Sequence, residues 1–377
     1  MAWLAMALAA RPASAQVPPG DAAIGRRWFG GPLQATPLGH DAADEATSAD
    51  ACAKCHPAIA AQWRSSRHGQ AWPDPVFQQA YQREPEAPCR RCHAPLAGGA
   101  VPSGRAERDS IDCAVCHVRG GQILTSDRRR NGVQAPHGVI RTADLGTPGY
   151  CSGCHQFGFL GFPRDKRRGP FETDELQQAT LAEWQSSRAA AQGLTCPDCH
   201  MPKVAVDGGI AVASHAFAAT TAETLRSAVA ATVQSDARAG TLTWTVELTA
   251  KHAGHKVPTG DVFRRLQWCL FEPAGKVVAT LDYGRTWRSR RAVDRRNGPY
   301  LSRTLVRDTR LPADGTPVTR AAQVADLPGL WRWRLDYVRS TLPTIPKHSQ
   351  CDDGERTLLH QGQVDVPAPG APALGVP

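Results

Sequence analysis

The stretch Cys52-Ala53-Lys54-Cys55-His56 decides the reading of this chain, because its pattern returns four more times. The further copies are Cys89-Arg90-Arg91-Cys92-His93, Cys113-Ala114-Val115-Cys116-His117, Cys151-Ser152-Gly153-Cys154-His155 and Cys196-Pro197-Asp198-Cys199-His200. Together they take ten of the 12 cysteines. Two thiols three positions apart add across the two vinyl groups of one haem, and the adjacent imidazole is then held beneath the porphyrin as an iron ligand. The pattern implies five covalently attached c-type haems, with the ten motif cysteines as attachment points and His56, His93, His117, His155 and His200 as proximal ligands. Zinc ribbons and thioredoxin-like redox pairs also use Cys-x-x-Cys, but neither requires a His after every second Cys nor recurs five times.

All five motifs fall between Cys52 and His200, in a stretch rich in Gly, Pro and Arg with few long apolar runs. Such density leaves little polypeptide between macrocycles. The haems themselves are expected to form much of the core there, and the region should be unfolded without them, as small metal-dependent domains are without metal.

The charge follows the same logic. Against 35 acidic residues the 377-residue chain carries 44 Lys and Arg, a formal +9. Each ferric haem contributes about −1 through its propionates, so five bring the total to about +4, and full reduction to about −1. Arg128 to Arg130, Arg164 to Arg168 and Arg288 to Arg296 are candidate propionate partners, with a solvated basic surface as the alternative. No nucleic-acid fold motif accompanies them.

Eight histidines lie outside the motifs: His40, His68, His137, His215, His252, His255, His348 and His360. Met201 abuts His200 and cannot reach across the same haem, so most irons are expected to be His/His or His/open, with low potentials. The candidate distal ligands are His68, closing a helical segment over 57–69; His137, in the Pro136-His137-Gly138 loop; His215, after the last motif; and His255, in a loop between strands. For each, a plain surface histidine is the alternative. An echo of Gln62-Trp63-Arg64-Ser65-Ser66-Arg67-His68 occurs at Glu183-Trp184-Gln185-Ser186-Ser187-Arg188-Ala189. If the two are related, Ala189 marks a lost ligand and hints at a haem without a sixth one. Chance similarity between two amphipathic helices is the alternative.

Around the motifs the chain divides readily. Residues 1–15 read as a secretory signal, with an apolar run at Trp3 to Ala10 and small residues before Gln16. Residues 16–50 form an N-terminal extension, 51–219 a mostly helical and loop domain carrying the haems, 220–366 an antiparallel β-sandwich, and 367–377 a mobile Pro/Ala/Gly tail. The fold class is thus α+β. Strands are expected at 225–233, 241–249, 265–271, 276–283, 318–325, 331–337 and 354–366, where apolar residues alternate or cluster between Gly, Pro and Asp turns. No apolar run long enough to span a bilayer follows the signal. Cys269 and Cys351, outside the motifs, are expected to pair in an oxidising compartment, with a buried small apolar Cys269 as the alternative.

These residues resemble the multihaem cytochrome c superfamily that includes hydroxylamine oxidoreductase, its tetrahaem cytochrome partner and pentahaem nitrite reductase. The resemblance covers about 51–260 and rests on Trp63-x-x-Ser66-x-His68, on Cys196-Pro197-Asp198-Cys199-His200-Met201-Pro202, on His215-Ala216-Phe217 and on Gly254-His255-Lys256-Val257-Pro258-Thr259-Gly260. It implies that His68, His215 and His255 are distal ligands, that the haems lie in stacked and near-perpendicular pairs, and that the β-domain docks so that His255 reaches a haem. Two departures weigh against catalysis: all five motifs end in His, where the nitrite reductase has Lys at its active haem, and nothing matches the Tyr-crosslinked haem of hydroxylamine oxidoreductase.

The expectation is a periplasmic electron-transfer protein that passes single electrons along closely packed haems between donor and acceptor proteins of unknown identity. The alternative is a multihaem oxidoreductase with one five-coordinate haem, acting on a small nitrogen or sulfur oxyanion. Association with a membrane complex through the β-domain is compatible with either, and the sequence leaves the oligomeric state open.

Overall fold

The computed structural model describes residues 45–83, 85–97, 100–119, 121–126, 137–160, 171–206, 209–218, 221–294, 298–340, 351 and 354–368. The expected signal segment, most of the N-terminal extension, the basic runs at 128–130 and 164–168, His40, His348 and the end of the tail lie outside these residues.

The motif-bearing part is built from short helices: α1 (Ala49–Ala53), α2 (Pro57–Ser65), α3 (Pro75–Arg83), α4 (Ala87–His93), α5 (Gly104–Asp109), α6 (Cys113–His117), α7 (Pro148–His155), α8 (Thr180–Gln185), α9 (Arg188–Ala191) and α10 (Cys196–His200). Helices this short are marginal alone and need something to pack on. Small sheets lie between them. β1 (Val118–Arg119), β2 (Gln122–Thr125) and β3 (Val139–Arg141) form one; β4 (Gln156–Leu160) pairs with β5 (Phe171–Ala179), and β6 (Lys203–Val206) with β7 (Ile210–Ala213). No described helix is long and apolar enough to cross a membrane.

After α11 (Ala222–Ala228) come nine strands: β8 (Val229–Arg238), β9 (Thr241–Ala250), β10 (Arg265–Phe271), β11 (Val277–Tyr283), β12 (Arg285–Asp294), β13 (Gly298–Asp308), β14 (Val318–Ala325), β15 (Gly329–Arg339) and β16 (Glu355–Val366). They form a four-stranded antiparallel sheet in the order β11-β10-β15-β16, a three-stranded one in the order β14-β9-β8, and the β12-β13 hairpin. Strict alternation along β9 turns Leu242, Trp244, Val246 and Leu248 inward. There the Trp244 ring meets Trp268 of β10 and Trp331 of β15 at centre distances of 6.1 and 6.0 Å. The two sheets bury these aromatics between them, which gives the α+β architecture its apolar core. On the other face of β10, Cys269 is bonded to Cys351, with Cα atoms 6.2 Å apart, inside the range a disulfide spans.

The structure departs from expectation in three places. The segment 225–233 is not one strand: Thr221 caps α11 by accepting from the Thr224 amide at 3.2 Å, so the chain is helical to Ala228 and extended only from Val229. The described part of the basic run, 288–294, falls in the β12-β13 hairpin, a pairing hidden by its Arg content. The helix of His68 also stops at Ser65. Ser66 is extended and its Oγ accepts from the Gly69 amide at 3.2 Å, so a turn presents His68.

Ion pairs join the motif region to the β-rich region in two places. Asp74 accepts from Arg339 at 2.8 and 2.9 Å and from Arg67 at 2.9 Å, while Glu355 binds both arginines. On the other side, Glu183 of α8 meets Arg310 at 2.7 Å, both buried.

Candidate haem-binding site

Each motif forms about one helical turn, which places residues i, i+3 and i+4 on one face and so turns both thiols and the imidazole the same way. Local capping fixes these turns. Asp112 accepts from the Ala114 and Val115 amides at 2.9 and 3.2 Å. Thr195 and Asp198 form a reciprocal capping box at the last motif. Pro88, Pro148 and Pro197 occupy first-turn positions where a missing N–H costs nothing. Arg105, buried, donates to Asp112 at 2.6 Å and to the Thr47 carbonyl at 2.7 Å, bracing the third motif against the entrance of the first.

All fifteen Cys and His residues of the five motifs line one cavity of about 3630 Å³. Pockets for one small ligand usually measure roughly 300–1,000 Å³. The main cluster of buried apolar side chains, by contrast, starts only at Val229. The motif region is therefore shaped around a large internal space rather than around its own side chains. Thiols from different motifs lie side by side there: Cys52 beside Cys113, Cys92 beside Cys154, and Cys151 beside Cys196. Spatial neighbours are thus motifs one and three, two and four, and four and five.

Three of the four candidate distal histidines face a motif histidine. Ring centres are 6.1 Å apart for His68 and His155, 5.9 Å for His117 and His215, and 6.0 Å for His200 and His255. Two metal–imidazole bonds of about 2 Å each put the nitrogens roughly 4 Å apart, and the half-widths of the two rings account for the rest. The orientation fits as well. Nδ1 of His93, His117, His215 and His255 lies 2.8–3.0 Å from the carbonyls of Ala71, Leu124, Ala213 and Lys256, leaving Nε2 free to ligate. Nδ1 of His155 lies 3.1 Å from the Gln178 amide. Burial, helped by neighbouring imidazoles, holds His68, His200 and His215 down to about 4 and His155 to about 3, keeping the rings in the neutral form that binds iron. The donor set fits c-type haem.

His137 is exposed at the rim of the cavity and makes no ring contact with a motif histidine among the described residues. His252 is exposed in a left-handed conformation, and His360 lies in the β-rich region, 2.6 Å from the Val229 carbonyl. His93 stacks on Phe77, with centres 3.5 Å apart and planes at 7°. Phe217 sets its edge against His68 at 4.2 Å, and Gln62 accepts from the His215 amide at 2.9 Å. Sequence reading assigned these three no role; the aromatic in His215-Ala216-Phe217 was the available signal for Phe217.

The echoed segments correspond atom for atom. Trp63 Nε1 donates to the Ile111 carbonyl at 2.7 Å, and Trp184 Nε1 to the Leu194 carbonyl at 2.9 Å. Each acceptor lies two residues before the first cysteine of a motif. In return the Ile111 amide donates to the His68 carbonyl at 3.3 Å and the Leu194 amide to that of Ala189 at 3.0 Å. Ala189 is therefore the structural counterpart of His68. The first copy docks on motif three and turns its His toward motif four; the second docks on motif five, beyond which there is no further motif. Position 189 therefore supplies no imidazole, and His200 of the motif on which the second copy docks faces His255 instead.

Residues 51–118, holding the first three motifs, match the family of cytochrome c554 and c-prime. No curated protein matches the chain. Among solved structures it is similar to a penta-heme cytochrome c552 from Thermochromatium tepidum, at 19% identity and a TM-score of 0.58, covering 85% of this chain and 98% of that one. At that identity the likeness is one of fold. The family match over the first three motifs, the shared fold and five Cys-x-x-Cys-His turns around one cavity together support a multihaem cytochrome c. They likewise support an electron-transfer role, and the C-terminal region is β-rich.

Proposed function

We propose that the chain is a periplasmic pentahaem cytochrome that carries single electrons between redox proteins. The ten motif cysteines would attach five haems, with His56, His93, His117, His155 and His200 as proximal ligands and His155, His117 and His200 paired with His68, His215 and His255 respectively. The observation that carries this reading is the set of three imidazole pairs at 5.9–6.1 Å, since six-coordinate irons exchange electrons without binding substrate. The adjacent thiols support a route in which the fourth motif neighbours both the second and the fifth. A disulfide at Cys269 and Cys351 accords with an oxidising compartment. His137, at the cavity rim, stays a candidate sixth ligand.

A second reading has one observation in its favour. The ring partner of His93 among the described residues is Phe77 rather than a histidine, which suits a haem open to a small nitrogen or sulfur oxyanion. Electron paramagnetic resonance of the oxidised protein, with and without nitrite, separates the two. Low-spin signals unchanged by the anion support the conduit, and a high-spin signal that shifts with the anion supports the oxidoreductase.

A further inference from the structure

We infer that α8 and the turn after it form a latch for the β-rich region, in which Glu183 and Arg310 are positioning residues that set His255 opposite His200. This rests on the reading of His255 as a sixth ligand.

His68 comes from the motif region itself, whereas His255 is delivered by the region beyond it. The helix repeat shows how room is made. A Cβ placed on Gly254 would stand 3.3 Å from the Ala189 Cβ and 3.6 Å from Trp184 Cδ1, so the loop backbone rests directly on the second Trp helix. Where the first copy bears the imidazole of His68, the second bears only a methyl group, and the loop before His255 seats against it.

Polar contacts fix the register of that seat. Glu183 is buried and uses both carboxylate oxygens: Oε1 accepts from Arg310 at 2.7 Å, and Oε2 accepts from Thr259 Oγ1 at 2.8 Å. Because the single hydroxyl proton of Thr259 goes to Glu183, the contact between Thr180 and Thr259 at 2.8 Å is donated by Thr180. Arg310 also donates to the Pro258 carbonyl at 3.3 Å and to Asp308 at 2.8 and 2.9 Å. Asp308 in turn takes the Lys256 ammonium at 2.8 Å, and the Lys256 carbonyl faces His255 Nδ1 at 3.0 Å. Residues 256, 258 and 259 are all held from this network. A buried ion pair adds little stability over apolar packing, but it specifies one geometry.

The test uses purified holoprotein with wild-type haem content, read by electron paramagnetic resonance and visible spectra. His255→Ala should turn about one haem of the proposed five to high spin. Glu183→Ala and Ala189→Leu should raise the high-spin fraction at that same haem roughly tenfold, while Glu183→Gln, which keeps an acceptor for Arg310, restores most of the low-spin signal. Thr259→Val, nearly isosteric, carries the same expectation at smaller amplitude should Glu183→Ala fail to accumulate. Wild-type spectra for Ala189→Leu and the Glu183 or Thr259 variants, beside a high-spin His255→Ala, would overturn the latch and leave the ligand reading standing. An unchanged spectrum in His255→Ala would remove the ligand reading and the latch with it.

Discussion

The imidazole of His68 faces that of His155 at 6.1 Å, with planes inclined by 49° and the edge of Phe217 packed against the His68 ring. A residue that follows the first motif thus lies against the fourth, and the motif region is crossed by such contacts rather than built from segments that close on themselves.

Replacing His68 by Met tests that crossing. A thioether opposite His155 should raise the midpoint potential of one haem by on the order of 100 mV, within the ~0.8 V that axial ligands span. A redox titration followed at the haem bands would show one component displaced. If all components kept their wild-type potentials, His68 would not be a ligand.

Arg105 braces two motifs from inside. Arg105→Ala strands the Asp112 carboxylate, which is buried. The expected loss is about 3–5 kcal/mol, measured by urea unfolding. Arg238→Ala, at a largely exposed ion pair with Asp236, should change stability by less than about 1 kcal/mol.

Acid should weaken the ion pairs at and beside the contacts between the two regions. Burial alone would raise Asp308 and Asp74; the hydrogen bonds and charge of Arg310 and Lys256 around the first, and of Arg339 and Arg67 around the second, outweigh it and hold both below the ordinary carboxylate range. A depressed folded pKa gives stability that is present above the unfolded value of about 3.9 and is lost as pH falls toward the folded one. Stability from these contacts should therefore hold from pH 7 to about 4 and decline below that. Thermal unfolding across pH 2–7 should show a shallower acid slope in Asp308→Asn.

The disulfide closes a span of 82 residues within the β-rich region. Its removal as Cys269→Ala with Cys351→Ala should cost about 2–4 kcal/mol while leaving the haem spectrum unchanged. Alkylation of the unfolded, unreduced holoprotein should label neither cysteine.

Chain produced without haem attachment should fold only in part. Its main cluster of buried apolar side chains lies at Val229 and beyond, whereas the motif region surrounds a cavity. Limited proteolysis should leave a resistant fragment beginning near Thr221. Survival of an intact 51–219 segment would show that the motif region folds on its own.

Much of this is legible in the residues themselves. Alternation over 241–249 gives β9 to within one residue, because a period of two survives wherever one face is buried. The β12-β13 hairpin escapes because its Arg-rich sequence carries no regular alternation of apolar residues. Phe77 against His93 escapes for another reason: nothing in a helix of mixed composition says which turn its aromatic will cover.

The spacing of thiols and imidazole within each motif is what covalent haem attachment requires, so the five motifs and the chemistry they suit stand in the sequence alone. Which histidine faces which motif does not. His155 meets a residue 87 positions earlier and His200 one 55 positions later, and such pairs exist only once turns, capping hydrogen bonds and buried ion pairs have brought distant segments to a common cavity. Ala189 marks the boundary most clearly. In sequence it is a missing histidine; in the fold it is the space in which the loop before His255 seats.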